Sequence, residues 1–589
     1  MGTQQTEKKI KIDKVMIKKR ILPTLLISFM LPFIIFISVP FDIYGNNLDE
    51  FLFNLGHFLP ILVGFFFLTG AVIFFVLLFL PKRAYKILSA IFISVSLMFF
   101  LQSTYLNGNL NSLSGDNLGD EKISQSKIII NAVIWFAVVA VAVLLSFIKD
   151  KKAIISTVAI IASLVVVFTQ VVTTIMSSIT KPEIFLTKIE RLKKDDADAT
   201  HKILTTDSLN EISTNRNIFY FCIDRFDEDY AENALSYYPE IYDELKGFTW
   251  FKDNVSLFGH TYPAVTHMLT NYEHNSTINR EDYFKQAYKN NETLKLLKDN
   301  GYNINIYTQN HYAYVDASHL PDYVQNVHSP HEQKIKNHIR LAFGMVKMSL
   351  FRGLPLGLKK LVSGIDSNTC NYEVEEFDKN GNKVFTTDMK DIYEHLNKNA
   401  FKSTDEKTFS FIHLDGCHAV SYDEDWNKVS SSKKYPIETS VKTSFDIINK
   451  YLRKMKETGV YKDATIIITG DHAHPIEDNS EVTKPRLTAL FIKPSGIEDG
   501  DVRASQAQTS HENIWSTILK SENIETDIDF GKSVFEINEG DEQTRRYVWH
   551  AYPRNGKLRD YIYEIKGSAK DFNNWKIKEY KEYENKFLM

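Results

Sequence analysis

The chain has 589 residues, of which 44% are hydrophobic and 24% charged, and a formal net charge of −4. This charge balance lacks the basic excess that is typical of nucleic-acid binding, so we predict no nucleic-acid partner. Cys222, Cys370 and Cys417 are too few for a disulfide framework and have no CxxC spacing for a metal.

The first third of the chain holds most of the long apolar stretches. Each is close to the roughly 20 residues that a helix needs to cross a bilayer. They predict five transmembrane helices within residues 21–176, preceded by a basic cytoplasmic tail, residues 1–20. A cleaved signal peptide is the less favoured alternative, because four further spans follow. The five runs are 21–39, 58–80, 84–105, 127–148 and 153–176.

Basic residues predict the orientation of these helices, since short basic loops stay in the cytoplasm. The tail, the PKR at 81–83 and the KDKK at 149–152 all fall on one side. The alternating loops, 40–57 and 106–126, carry almost no basic residues. Five crossings then place the rest of the chain outside the cell, as a multi-pass protein of the cell membrane with an extracellular domain.

The soluble part begins with a polar linker, residues 177–214. From there short β-rich runs alternate with helical patterns at 231–245, 282–299 and 437–457, which predicts an α/β domain over 215–540 with a largely parallel sheet covered by helices. Residues 541–589, with the strand-like YIYEIKG, predict a small β or mixed appendage. The candidate strands are NIFYFCI, FTWFKD, YNINIYT, FSFIHL, TIIIT and LTALFIK.

Polar residues follow several of these strands. Asp224 ends the run NIFYFCID, and Asp471 and His472 end TIIITGDH. Carboxylate oxygens beside an imidazole nitrogen suit a divalent metal. Taken alone, Asp224 is more often a helix cap, and the second cluster can be read as a charged turn.

Two further residues carry possible chemistry. Thr261 precedes Pro263 and the helical pattern AVTHMLT, which sets its hydroxyl at the positive end of a helix dipole. A threonine needs a base or a metal to act as a nucleophile, and the alternative is a simple N-cap. His418 follows the strand FSFIHL and a glycine turn, where it could bind phosphoryl oxygens or move a proton. His413 is expected to be an interior histidine of that strand.

These segments, in this order, resemble the alkaline phosphatase-like superfamily, and most closely the sulfatase-fold branch of lipoteichoic acid synthases and phosphoethanolamine transferases. The resemblance covers roughly 215–535. NIFYFCID is similar to the first metal-binding strand, HTYPA to the nucleophile motif, and TGDHAH to the GDH motif. The resemblance implies a bound divalent metal, preferably Mn²⁺, with Mg²⁺ or Zn²⁺ as alternatives. The implied ligands are Asp224, Thr261, Asp471 and His472. The resemblance also implies that Thr261 and His418 are catalytic and that His418 binds substrate.

The sequence also departs from the family patterns. Asp224 stands where lipoteichoic acid synthases usually have Glu, and DGCHAVSY lacks the proline common after the substrate histidine. HTYPA has neither the cysteine or serine nor the arginine of CxPSR, so formylglycine-dependent sulfate hydrolysis is not expected.

The resemblance therefore implies transfer of a phosphoglycerol-type headgroup from a membrane phospholipid, through a phosphothreonine, to a cell-surface glycan or teichoic-acid-like acceptor. The alternatives are a phosphoethanolamine transferase, a phosphodiesterase of the same fold, or a noncatalytic surface protein. Gln309, Asn310 and His311, after the YNINIYT strand, are candidates for headgroup contact.

Overall fold

The structure is a computed structural model that describes residues 2–107, 124–147, 168–169, 171–172, 175–176, 179–195, 201–274, 276–362, 367–474, 481–554 and 557–584. The chain divides into two compact units. Unit 1 comprises residues 1–199 and 331–376, and unit 2 comprises residues 200–330 and 377–589.

The described α-helices, in chain order, are α1 Gly2–Phe33, α2 Val39–Asn46, α3 Leu59–Phe79, α4 Lys82–Thr104, α5 Gln125–Leu145, α6 Lys188–Asp195, α7 Glu228–Tyr237, α8 Thr261–Thr270, α9 Arg280–Lys289, α10 Thr293–Asp299, α11 His338–Gly353, α12 Ser367–Asn371, α13 Met389–Lys398, α14 Glu438–Glu457 and α15 Ile514–Ser521.

Unit 1 contains the membrane helices. Four described spans are long and apolar enough to cross a bilayer: Ile17–Asn46, which joins α1 to α2 through the π-helix Ile34–Ser38, and α3, α4 and α5. They confirm four of the five predicted spans, while the fifth, 153–176, lies for the most part outside the described residues. Helix α1 already begins at Gly2, so the basic tail continues the first helix.

Unit 1 also contains a segment from the middle of the chain, residues 331–376, which sequence patterns place in the soluble domain. Helix α11 packs one face into the apolar core of the membrane helices, where Leu341 and Met345 lie in one cluster with Ile34 and Phe99. This membership depends on tertiary packing, and the local pattern of α11 alone does not reveal it.

The described strands are β1 Ile203–Leu204, β2 Glu211–Ser213, β3 Asn217–Ile223, β4 Thr249–Val255, β5 Tyr302–Tyr307, β6 Val327–His328, β7 Glu332–Ile335, β8 Val374–Phe377, β9 Lys402–Thr404, β10 Lys407–Leu414, β11 Thr465–Gly470, β12 Leu490–Lys493, β13 Arg503–Ser510, β14 Thr544–Arg554, β15 Lys557–Lys566 and β16 Trp575–Glu584.

Unit 2 is built around a seven-stranded sheet with the order β13-β4-β12-β11-β3-β10-β5. All pairings within it are parallel except the two made by β12. The predicted, largely parallel sheet is thus confirmed, and all six candidate strands belong to it. The edge strand β13 was missed because its sequence, RASQAQTS, is polar and half-exposed.

The central strands are apolar on both faces because each face is covered by helices. Phe219 and Phe221 of β3 point into one core cluster, with residues of α7, α13 and α14. Ile218 and Tyr220 point into the other, with residues of α8, α10 and α15. The predicted helix 282–299 is two helices, α9 and α10, interrupted at residues 290–292, where the Asn291 side chain accepts a hydrogen bond from the Leu294 N–H in the first turn of α10.

The C-terminal residues form an antiparallel sheet of β14, β15 and β16 in the described region, which confirms the predicted small β appendage. Two backbone hydrogen bonds join it to the loop before α8. The Val548 N–H donates to the Leu257 carbonyl at 2.7 Å, and the Gly259 N–H donates to the Val548 carbonyl at 3.1 Å. The appendage therefore fixes the chain immediately upstream of Thr261.

Candidate metal centre and active site

The register of the central sheet brings three carboxylates together. On β3, Ile223 pairs with Gly470 of β11 and with Leu414 of β10, and all three strands are parallel. The next residue on each strand is an aspartate, so three acidic side chains leave one edge of the sheet side by side. They are Asp471, Asp224 and Asp415.

Asp224 is a buried carboxylate whose charge is poorly compensated. It is 1% exposed, and neither of its side-chain oxygens has a hydrogen-bond partner. The guanidinium of Arg225 is a weak partner, since its Nε lies 4.0 Å from Asp224 Oδ1. Burial, Asp471 and Asp415 raise the pKa of Asp224 well above its usual value. Such a group is costly to bury unless a cation neutralises it.

Asp471 is fully buried and held by backbone donors. Its Oδ1 accepts hydrogen bonds from the N–H groups of Arg225, at 2.9 Å, and His472, at 2.8 Å, while Oδ2 has no hydrogen-bond partner. Burial acts to raise the pKa of Asp471, but the His472 and His413 imidazoles and these donors together lower it below its usual value. Asp471 is therefore ready as an anionic ligand.

The orientation of His472 leaves one ring nitrogen available. Its Nδ1 donates to the Ala473 carbonyl at 2.6 Å, so in the neutral ring Nε2 carries no proton. Nε2 lies 3.4 Å from Asp471 Oδ2. A backbone carbonyl that fixes the ring in this way is the usual support of a metal-binding histidine.

The donor set fits a divalent metal ion. One ligand atom from each of Asp224, Asp471 and His472 lies within 4.8 Å of the others, and all three residues are buried. The side-chain oxygens without partners on both aspartates are what a cation would satisfy. Two hard oxygen donors with an imidazole suit Mn²⁺, Mg²⁺ or Zn²⁺.

Thr261 is the first residue of α8, and its hydroxyl meets this cluster. Thr261 Oγ1 lies 3.3 Å from His472 Nε2, which accepts its proton in a hydrogen bond. The N-cap position belongs to His260, with an extended backbone at φ −140°, so Thr261 is not the cap of α8. Its hydroxyl thus stands at the N-terminus of a buried helix, where negative charge is favoured.

His418 is placed at the same edge by the turn after β10. It ends the short 3₁₀-helix Gly416–His418, and the Cys417 N–H donates to the Asp224 carbonyl at 2.8 Å. Gly416 has φ +29°, and a Cβ there would lie 2.2 Å from Ile223, so only glycine fits this turn. Partial burial, Arg225 and His472 lower the pKa of His418 to about 4, so it is neutral at pH 7. The ring reaches solvent.

The candidate headgroup residues lie after β5, on the far side of β10. Gln309 Oε1 accepts a hydrogen bond from Thr387 Oγ1 at 3.1 Å. Asn310 and His311 are exposed, and the His311 N–H donates to the Tyr314 carbonyl at 2.6 Å. No contact among the described residues joins these three side chains to the metal ligands, and their role stays a prediction.

Comparison with known proteins agrees with this geometry. The family model for sulfatases matches residues 216–522, just over half of the chain, and spans every residue of the cluster. The chain belongs to the sulfatase family. A search of curated proteins finds no match.

Three solved structures illustrate what the sulfatase-family region is similar to. A protein of the alkaline phosphatase superfamily from Vibrio parahaemolyticus has 12% identity and a TM-score of 0.36, with 64% of this chain and 85% of that one covered. The lipoteichoic acid synthase LtaP from Listeria monocytogenes has 13% identity and a TM-score of 0.34, with 61% and 86% covered. A phosphonate monoester hydrolase from Silicibacter pomeroyi has 14% identity and a TM-score of 0.34, with 61% and 88% covered. Similarities this low do not bear on activity.

Two residues of the sulfatase-family site, Arg225 and Asp415, were not predicted from the sequence. Arg225 adopts φ +55°, which is uncommon for a long side chain and typical of functional turns; this conformation directs its N–H to Asp471. Burial and Asp388 raise the pKa of Asp415 to about 6, against the opposing effect of Arg225. Their positions in the sequence could have indicated both residues. Arg225 directly follows the strand-end Asp224, and Asp415 is itself the aspartate that follows β10.

His413 was predicted as an interior histidine, and the structure bears on that prediction. It lies inside β10 as expected, and its Nδ1 is 3.0 Å from Thr308 Oγ1. Its Nε2, however, is buried without a hydrogen-bond partner. Burial lowers the pKa of His413 to about 4, so the ring is neutral. The expectation of a satisfied interior histidine therefore holds for one ring nitrogen and not for the other.

The appendage supports the nucleophile loop of the sulfatase-family domain. The His260 ring stacks on Trp549 of β14 at 4.5 Å. A Cβ on Gly259 would lie 2.5 Å from the Trp549 ring, so this close approach requires glycine. His550 of the same strand is buried, and its Nδ1 lies 2.6 Å from Asp560 Oδ1. These contacts define where Thr261 begins its helix.

Proposed function

We propose that this sulfatase-family protein transfers a phosphoglycerol-type headgroup from a membrane phospholipid to a hydroxyl of a cell-surface glycan or teichoic-acid-like polymer, as lipoteichoic acid synthases do. The observation that carries the proposal is the Thr261 hydroxyl, 3.3 Å from His472 Nε2, beside the unpartnered carboxylate of Asp224. This arrangement suits a nucleophile that forms a covalent phosphoryl intermediate.

The identity of the nucleophile favours phosphoryl transfer over sulfate ester hydrolysis. The position is a threonine in His260-Thr261-Tyr262-Pro263, where formylglycine sulfatases need cysteine or serine. Threonine cannot be oxidised to that aldehyde, because its Cβ carries a methyl group. A threonine oxygen can instead attack phosphorus directly.

In the first step the Thr261 oxygen forms a bond to the phosphorus of the lipid phosphodiester, and the bond from phosphorus to the diacylglycerol oxygen breaks. His418 is neutral at pH 7 because its pKa is lowered to about 4, so it can accept a proton. It takes the Thr261 proton and passes it to the diacylglycerol oxygen. The Arg225 guanidinium is positioned to attract the phosphoryl oxygens.

In the second step the acceptor hydroxyl oxygen bonds to phosphorus and the bond from phosphorus to Thr261 breaks. His418 removes the acceptor proton and returns a proton to the Thr261 oxygen. Asp224, Thr261, Asp471 and His472 would hold a divalent ion, for which we favour Mn²⁺. When bound, such an ion lowers the pKa of a hydroxyl and offsets charge on phosphoryl oxygens.

The membrane unit supports a lipid donor and an extracellular site. The segment 331–376 packs within unit 1 at helix ends that adjoin the loops poor in basic residues: the His338 Nδ1 donates to the His57 carbonyl at 2.8 Å, just before α3. The basic PKR is at the opposite end of α3. Since short basic loops stay in the cytoplasm, this non-basic side of the helices is expected to be the outside.

The test is mass spectrometry of the tryptic peptide of residues 253–280 after the reconstituted protein is incubated with Mn²⁺ and labelled phosphatidylglycerol. We expect a glycerophosphoryl adduct on Thr261, absent in Thr261→Ala and retained in Thr266→Ala, a buried threonine of the same helix. A phosphoethanolamine adduct from phosphatidylethanolamine, with none from phosphatidylglycerol, would replace the preferred donor.

Acceptor dependence separates transferase from hydrolase. In the same vesicles, release of diacylglycerol is followed with and without a glycan acceptor. A transferase is expected to stall after one equivalent when the acceptor is missing. Free glycerol phosphate released at an undiminished rate without acceptor would make the protein a phosphodiesterase.

A further inference from the structure

The segment 338–361 of unit 1 is built into the membrane helices. It consists of α11 and the 3₁₀-helix Leu356–Leu361. Ser349 Oγ donates to the Ile35 carbonyl at 2.7 Å, and Arg352 pairs with Asp42 at 2.8 Å. Both partners belong to the first span.

Polar residues in α4, in α5 and just after α4 form a hydrogen-bonded chain that reaches this segment. Buried Asn131 accepts a hydrogen bond from the Leu356 N–H at 2.9 Å and donates to Gln102 at 2.7 Å. Gln102 donates to Asn107 at 2.9 Å, and Asn107 donates to the Arg352 carbonyl at 3.0 Å. A polar side chain in a spanning helix is costly unless it is paired, so these residues fit a segment that stays docked there.

The contacts also locate the segment relative to the ends of the spanning helices. Phe343 of α11 lies 5.3 Å from the Phe65 ring, and Phe65 is six residues inside α3. Asn131 is likewise six residues inside α5. At 1.5 Å per residue, both contacts lie about 9 Å below the helix ends. Interfacial helices are buried to about 5–10 Å, at the boundary between headgroups and acyl chains.

The outer face of the segment combines apolar and basic side chains. Ile339, Phe343 and Leu361 are 56%, 51% and 79% exposed. Residues 338–361 include five basic residues and no acidic one. Arg340, Lys347 and Lys360 are exposed among them, with Arg340 3.9 Å from Glu373. This composition is typical of helices that bind anionic lipid surfaces.

We propose that residues 338–361 form an interfacial segment that inserts Phe343 and Leu361 among the acyl chains and binds anionic phospholipid headgroups through Arg340, Lys347 and Lys360. The segment contacts α3 through Phe343 and Phe65, and α5 through Leu356 and Asn131. The inference rests on the membrane unit and is independent of the reaction proposed above. Its consequence is that anionic lipid is concentrated around this segment of unit 1.

Insertion is tested with full-length protein in nanodiscs, with cysteines introduced by Phe343→Cys or Leu361→Cys and labelled with an environment-sensitive fluorophore. The three native cysteines are buried, so background labelling is low. Phe136→Cys, 77% exposed on α5, is the lipid-facing control, and Tyr237→Cys, 56% exposed in unit 2, is the aqueous control. We expect blue-shifted emission at 343 and 361, quenched best by lipids carrying a nitroxide near the headgroup.

Headgroup selectivity is measured with the same labelled proteins, in nanodiscs that contain each nitroxide lipid at equal mole fraction. Nitroxide-phosphatidylglycerol is expected to quench the label at 343 more than nitroxide-phosphatidylcholine. Replacing Arg340, Lys347 and Lys360 by Gln should weaken the preference by up to about fivefold per residue at low salt. Lys398→Gln, Lys454→Gln and Lys520→Gln in unit 2 form the matched control and should leave it unchanged.

Three results would count against the proposal. Emission at 343 and 361 like that of the aqueous control would show that the segment does not enter the bilayer. Self-quenching of the labels without lipid quenching would show that a second copy of the chain covers the surface. Equal quenching by both nitroxide lipids, in labelled protein that keeps all three basic residues, would show that the segment does not prefer anionic headgroups.

Discussion

Asp224 is the residue whose environment most directly implies a cation. Its two buried oxygens lack hydrogen-bond partners, and two more aspartates follow the neighbouring strands. We expect Mn²⁺ to raise the melting temperature of the wild type, since a ligand at 100 times its Kd stabilises the folded state by about 2.7 kcal/mol. Asp224→Asn should abolish this rise in a thermal melt with Mn²⁺ against EDTA.

Asp229→Asn, an exposed aspartate five residues on, is the control and should keep the full response to Mn²⁺. Without metal, Asp224→Asn is expected to be at least as stable as the wild type, because it removes an uncompensated buried charge. An equal rise with Mn²⁺ in Asp224→Asn and wild type would mean that the ion binds elsewhere.

Glu228, the first residue of α7, gives a prediction for pH. Burial raises its pKa to about 8, although the Trp250 N–H that donates to it at 2.9 Å opposes the shift. Because the folded-state pKa is above the unfolded value, the stabilisation is fully present below pH 4.5 and is lost as the pH rises through about 8. Glu228→Gln should therefore flatten the fall in unfolding free energy between pH 5 and 8, an effect of a few kcal/mol at most.

The measurement is chemical denaturation at pH 5, 6.5 and 8. Glu232→Gln is the matched control, since Glu232 is 61% exposed on the same helix and pairs with Lys252. A pH dependence in Glu228→Gln as steep as in the wild type would contradict the assignment to this carboxyl.

Much of the site could be predicted at the residue scale. Asp224, Asp471, His472 and Thr261 were predicted together because each stands where a strand ends or a helix begins, and the structure brings them within contact distances. Arg225 could not be assigned, because its contribution depends on a left-handed backbone conformation that its sequence does not favour.

At the scale of elements, the C-terminal appendage holds the loop that precedes Thr261. It does so through the backbone hydrogen bonds of Val548. In Val548→Pro the N–H that donates to Leu257 is lost. We expect the loop to shift and formation of the phosphothreonine adduct to fall by about 10²-fold, as for misplacement of a reacting group by 1 Å. Hydrogen exchange of residues 257–260 should rise in parallel.

Val548→Ala keeps the N–H and shortens the side chain, so it should remain close to wild type in both measurements. If Val548→Pro also left the adduct and the exchange rates unchanged, the appendage would have no part in positioning the nucleophile. Unfolding of the whole domain is monitored by its melting temperature, which separates local from global loss.

The element scale also shows what patterns can and cannot predict. Strands such as β3 and β11 were predicted because they are apolar on both faces between two helix layers. Strand β13 is an edge strand with polar residues, and its pairing with β4 depends on the finished sheet. The predicted helix 231–245 ends early, at Tyr237, because the following residues form turns.

At the scale of the whole molecule, the sequence did not predict that residues 331–376 belong to unit 1. Residues 331–376 lie between two segments of the sulfatase-family domain, and α11 has the amphipathic pattern of any surface helix. Only its partners, among them Ile35, Phe65 and Asn131, assign it to the membrane unit. The four described spans, by contrast, followed from length and hydropathy alone.

Orientation is the prediction that governs which substrates the enzyme domain can reach. The three native cysteines are buried, so single introduced cysteines report the topology in intact cells. Asp49→Cys, in the loop before α3, and Tyr237→Cys, in unit 2, are exposed and should react with a membrane-impermeant thiol reagent. Lys82→Cys, at the first residue of α4 within the basic PKR sequence, should react only after permeabilisation, because positive loops remain cytoplasmic. Reaction of Tyr237→Cys only after permeabilisation would place the site in the cytoplasm, and a cell-surface acceptor would then be excluded.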